Sequence, residues 1–60
     1  MEEYSVQEGI WKVTQNPATL EMNISKYGEV VDVWQGEKNY SFSELEEILV
    51  RKSYELRGEN

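Results

Sequence analysis

The sequence predicts an α+β fold: an antiparallel meander of three to four strands with one C-terminal α-helix packed on one face. Three observations carry that expectation. In "ATLEMNIS", residues 18 to 25, Leu20, Met22 and Ile24 alternate with Thr19, Glu21, Asn23 and Ser25, the period of a strand with one dry face. "SKYGE" separates that run from "EVVDVWQ" by too few residues for a parallel crossover, so the two pair antiparallel. Beyond residue 41 the pattern turns helical, and serine and glutamate stand at capping spacing.

Sixty residues make one small domain, near the lower limit for independent folding. Residues 1 to 8 are polar apart from Tyr4 and Val6 and form an arm or a short edge strand. Residues 9 to 42 form the meander. Its first strand is "GIWKVTQ", with Trp11 and Val13 on one side and Ile10, Lys12 and Thr14 on the other. Asn16-Pro17 ends it, because the pair favours a turn and proline donates nothing to a ladder. The strand at 18 to 25 follows. Gly28 supplies the positive φ that a tight hairpin needs, and "EVVDVWQ" returns. "GEK" turns the chain again, and "NYSF", 39 to 42, fits a brief last strand.

The helix spans 43 to 57. Ser41 with Glu44 and Ser43 with Glu46 both fit a capping box, and the spacing does not choose between them. Glutamates crowd the first turn, Arg51, Lys52 and Arg57 lie towards the end, and Glu47 with Arg51 forms an i,i+4 pair; each arrangement suits the helix dipole. Gly58 fits a C-terminal stop. At 100° per residue, Phe42, Leu45, Ile48, Leu49 and Leu56 share one face, which should lie on the sheet.

Two apolar sets remain outside that single core. In "EVVDVWQG" an ideal strand sends Val31 and Val33 one way and Val30 and Trp34 the other, with Asp32 between these two. One side covers the core and the other is spare, with Ile10 as its expected neighbour. On the helix, Val50 and Tyr54 lie a turn apart and more than 100° from Leu45. Apolar patches of this kind mark interfaces. Val30, Asp32, Trp34, Val50 and Tyr54 are therefore the candidate interface residues. Three coverings stay open: the N-terminal Tyr4 and Val6, a second copy, or a foreign protein for which Trp34 and Tyr54 serve as anchors. Desolvation in such an interface would raise the Asp32 pKa. On this reading Trp34→Ala with Asp32→Lys keeps the fold and removes binding.

Composition narrows the function classes. Histidine and cysteine, the commonest acid/base and nucleophilic groups, are absent, as are disulfide staples and Cys/His zinc sites. The four glycines are isolated, so no phosphate loop exists. Glu2-Glu3 and Glu46-Glu47 pair carboxylates on solvated segments, and no calcium-loop spacing occurs. No catalytic residue, metal or cofactor is assigned, and a non-enzymatic protein is expected. Twelve Asp and Glu against six Lys and Arg give a net charge of −6. That charge disfavours direct nucleic-acid binding and anionic membranes, and favours a protein partner with a basic or apolar surface. A small chain without covalent staples often gains stability by pairing, so a homodimer is expected. The acidic N-terminus lacks the apolar core of a signal peptide, which points to the cytoplasm, and the chain reads as a complete short gene product.

In size, charge and the pattern "LEMNISKYGEVVDVWQGEKNYSFSELEEIL", the chain resembles the small, acidic, cysteine-poor proteins that bacteriophages encode to inhibit host enzymes, including anti-CRISPR and other anti-defence proteins. The resemblance implies a stoichiometric inhibitor of a host protein, often dimeric, acting in the host cytoplasm. It rests on overall character, and no residue role carries over. Two alternatives stand beside it. An acidic DNA mimic would place carboxylates at phosphate spacing, about 3.4 Å along a strand. Outward residues on a β-strand are about 6.6 Å apart, so a mimic needs acids at most of them. The run from Thr19 to Ser25 offers one acid in four outward positions. The other alternative is a self-assembling structural or accessory subunit.

Overall fold

The computed structural model describes residues 3–57. Four strands, β1 (Tyr4–Glu8), β2 (Trp11–Gln15), β3 (Glu21–Lys26) and β4 (Glu29–Gln35), lie side by side in chain order, each antiparallel to the next. Helix α1 (Phe42–Leu56) packs across one face, nearest β1 and β2. The fold is α+β, as expected, and residues 4–8 are the edge-strand alternative to an arm.

Turn chemistry sets the meander. Glu8 pairs with Trp11, leaving Gly9 and Ile10 as a two-residue loop with Gly9 at φ 61°. Glycine in the first central position suits a type II′ turn. Lys26 pairs with Glu29, and both Tyr27 (φ 55°) and Gly28 (φ 81°) are left-handed, as a type I′ turn requires. Between β2 and β3 the turn is longer than the alternation suggests. The Asn16 side chain accepts from the amides of Ala18 (2.8 Å) and Thr19 (3.3 Å), an Asx turn. Leu20 closes it at φ 68°, its N–H donating to the Asn16 carbonyl at 2.7 Å. The strand expected from residue 18 therefore starts at Glu21.

One apolar cluster holds sheet and helix together: Trp11, Val13, Met22, Ile24, Leu45 and Leu49, with Val6, Trp34, Tyr40 and Ile48 packed against it. Removing a buried leucine or isoleucine side chain from such a cluster costs about 2–5 kcal/mol. Phe42 and Leu56, expected on the buried helix face, are exposed, because they sit on its first and last positions. The Phe42 ring instead meets Tyr4 edge-on, 6.5 Å between centroids.

The expected strand at 39–42 does not form. Residues 39–41 are irregular and Phe42 is already helical. Gln15 is the cause. Its side chain is fully buried; Nε2 donates to the carbonyls of Lys38 (2.7 Å) and Leu20 (3.3 Å), and Oε1 accepts from the Tyr40 amide at 3.0 Å. A side chain thus takes the backbone groups that a ladder would have used. Gly36 lets the chain pass close by: a Cβ there would meet the Leu20 carbonyl oxygen at 2.5 Å and Gln15 Nε2 at 2.9 Å. Ser41 is then the cap. Its Oγ accepts from the Glu44 amide (3.2 Å), and Glu44 Oε1 accepts from the Ser41 amide (2.9 Å), completing the box. The Ser41 amide bond and Lys38 hold the Glu44 carboxyl below its ordinary pKa. Gly58, the expected stop, lies outside the described residues.

Candidate functional site

β4 changes face part-way along. Trp34 pairs with Met22 and Asp32 with Ile24, so both share the helix-covered side. Then the register shifts at Ile24/Ser25: Val30 pairs with Ser25 and Glu29 with Lys26, which leaves Val31 as an extra residue. Such a bulge inverts the alternation beyond it. Val30 and Trp34 therefore point to opposite faces, which corrects the expectation that they share one. Val30 and Val33 are together on the face away from the helix.

Trp34 and Asp32 fasten the helix. Lys52 Nζ lies 4.6 Å from the Trp34 ring centroid, 3.0 Å from Asp32 Oδ2 and 3.5 Å from Glu55 Oε1. Asp32 Oδ1 also accepts from the Val33 amide at 2.9 Å. The hydrogen bond from Lys52 holds the Asp32 carboxyl below its usual pKa, against a smaller opposing effect of burial, and the Val33 amide assists. The same pair raises the Lys52 pKa. The rise expected for Asp32 is thus reversed, because a cation sits on it. Trp34→Ala with Asp32→Lys would set two lysines together and remove the half-buried ring between sheet and helix, so it acts on the fold first. Among the described residues Glu47 and Arg51 form no ion pair; Lys52–Glu55 and Lys38–Glu44 do.

The open sheet face is polar over three strands and apolar on the fourth. One row across it reads Ser5, Thr14, Asn23, Val33 and the next Gln7, Lys12, Ser25, Val30. Val30, Val31 and Val33 are 55%, 45% and 52% exposed. Tyr4 and Val6 do not cover them, since β1 is the far edge of the sheet and Val6 packs into the core on the other side. The acids of this face are sparse: Glu21 is its one carboxylate on β3, and Lys12 stands on β2.

A second exposed patch lies on the helix. Val50 and Tyr54 are 45% and 63% exposed, with the Arg57 guanidinium 5.2 Å from the Tyr54 ring centroid. They border a hollow of about 480 Å3 whose far wall is Ile10 and Trp11, the latter with Lys26 Nζ 5.3 Å from its ring centroid. Ile10 therefore belongs with Val50 and Tyr54, not with β4. The tight Gly9-Ile10 turn swings it to the helix side, and Gly9 was the one signal for this in the sequence. The five candidate interface residues thus separate into three settings: Val30 on the open face, Asp32 and Trp34 at the seam of helix and sheet, Val50 and Tyr54 on the outer helix.

No three of the acidic side chains among the described residues converge as a metal site, and no helix there is long and apolar enough to cross a membrane. Set against protein-family models, curated proteins and solved structures, the chain matches none.

Proposed function

We propose that this chain is a non-enzymatic protein-binding inhibitor or adaptor, which works by covering part of a larger protein with the β4 side of its open sheet face. The observation that supports this most is the exposure of Val30 and Val33 on an otherwise polar face, with the exposed Val31 between them along the strand. Exposed apolar strips rimmed by polar groups favour protein contact. Glu21 stands on the same face and the net charge is −6, so the fitting partner is apolar at its centre and basic at its rim.

Side chains, not a shared ladder, would make the contact. Strand addition needs free edge amides. Here Asp32 already occupies the Val33 amide, and the Val31 bulge interrupts the edge. Both features protect an edge strand against unwanted pairing.

A photo-crosslinking side chain placed at Val33, in the cells that make the protein, tests the reading. Gln7, on the polar end of the same face, is the control. The expected result is one discrete heavier adduct from Val33 and none from Gln7, and loss of the partner's activity at one equivalent. No adduct at Val33, or the same adducts at both positions, overturns it.

A further inference from the structure

The outer helix carries a second surface with a different pattern of charge. Ser43, Glu47, Val50, Tyr54 and Arg57 are spaced four, three, four and three residues apart, which sets them in a single stripe on the side opposite Leu45 and Leu49. The stripe is acidic at one end, apolar in the middle and basic at the other. Among the described residues neither Glu47 nor Arg57 takes part in an ion pair. Arg57 is seated against the Tyr54 ring, which orients both.

We infer that this stripe binds a second copy of the chain, helix against antiparallel helix, about a two-fold axis that crosses the stripe between Val50 and Tyr54, level with position 52 along the helix. That axis sets Val50 of one copy against Tyr54 of the other, twice, and Glu47 against Arg57, twice. The match follows from spacing: Glu47 and Arg57 are each five residues from the centre, and Val50 and Tyr54 each two. The outer pairs then lie about 15 Å apart along the helix and the inner pairs about 6 Å apart. A parallel arrangement would instead face glutamate with glutamate and arginine with arginine. Antiparallel packing also opposes the two helix dipoles favourably. Each Tyr54 then faces Val50 at one end of a shallow hollow on the other copy, whose Glu47 wall meets Arg57. The two-fold symmetry makes one patch sufficient for both sides.

This assignment stands apart from the β4 reading, since β4 remains uncovered in such a dimer.

Sedimentation equilibrium over a wide concentration range tests it, on the wild type, Glu47→Arg, Arg57→Glu, the double exchange of both, and Val33→Lys. Each single reversal puts like charges opposite one another at two places. Each should weaken the dimer about tenfold, because exposed pairs are individually weak but count twice here. The double exchange should restore the wild-type constant, and Val33→Lys should leave it unchanged. Circular dichroism of every variant guards against unfolding, and all three positions are exposed. A wild type that stays monomeric, singles without effect, or a double exchange no better than the singles overturns the inference. Loss of the dimer in Val33→Lys alone would move the seam to β4, and would count against the β4 docking reading as well.

Discussion

The chain carries two apolar surfaces of similar exposure, and they differ in the charges around them. On β4 the exposed Val30 and Val33 share their rows with Lys12 and with uncharged side chains, Glu21 is the one carboxylate of that face on β3, and Asp32 is turned inward onto Lys52. On α1 the apolar pair lies between Glu47 on one side and Arg57 on the other. A surface whose few charges stand in no self-complementary order has nothing to favour its own copy. A surface framed by both signs, one at each end, meets its complement when it is reversed against its own copy. The lesson is that apolar area gives adhesion, while the arrangement of charge at its border decides between self and other.

The most damaging way to break this comparison is to remove the support that both surfaces share. Gln15→Leu keeps the volume but strands the Tyr40 amide and the Lys38 carbonyl without partners. The expected loss is about 2–4 kcal/mol in urea unfolding, with dimer and partner binding falling together. Tyr54→Ala sharpens the comparison. Truncating a central aromatic should weaken self-association by about thirtyfold in sedimentation, keep the melting temperature unchanged at concentrations where the chain is monomeric, and leave the Val33 crosslink intact. Ser41→Ala should lower stability by about 1 kcal/mol through loss of the cap, in thermal melts, and spare the affinity of both surfaces once the chain is folded.

The smallest effect concerns pH. The Asp32 pKa is depressed in the folded chain, so its contribution is complete above the unfolded value near 3.9 and disappears as pH falls through the lower folded value. Melting temperatures of wild type and Asp32→Asn should therefore differ at neutral pH and converge in acid below about pH 4. A constant difference at all pH values would mean that Asp32 acts by shape and not by charge.

Much of the fold was legible in residues with local consequences. Period-two alternation marks Met22 and Ile24, Gly28 marks the tight turn, and the paired serine–glutamate boxes mark the helix start to within two residues, because each acts over a few residues. What was not legible depends on distant partners. Nothing near Gln15 shows that it will hold residues 38 and 40, and those bonds are what turn "NYSF" from a strand into a lead-in to the helix. The bulge at Val31 is equally silent, since three valines and an aspartate fit either register equally well. Pleat arithmetic then misplaced Trp34, although its position beneath Lys52 is one of the ties between helix and sheet. Val50 and Tyr54 were legible as exposed because helical geometry alone puts them opposite Leu45 and Leu49.

The order of the strands has a further consequence for how the molecule comes into being. Each strand pairs with its neighbour in sequence, so every hairpin closes over a short loop, without waiting for distant chain. The cover arrives last. Trp11, Val13, Met22 and Ile24 give the sheet one apolar side, and Leu45 and Leu49 cover it from the C-terminal helix. Hairpins that close before the helix docks leave that apolar side open, so helix docking is the step that guards the chain against aggregation.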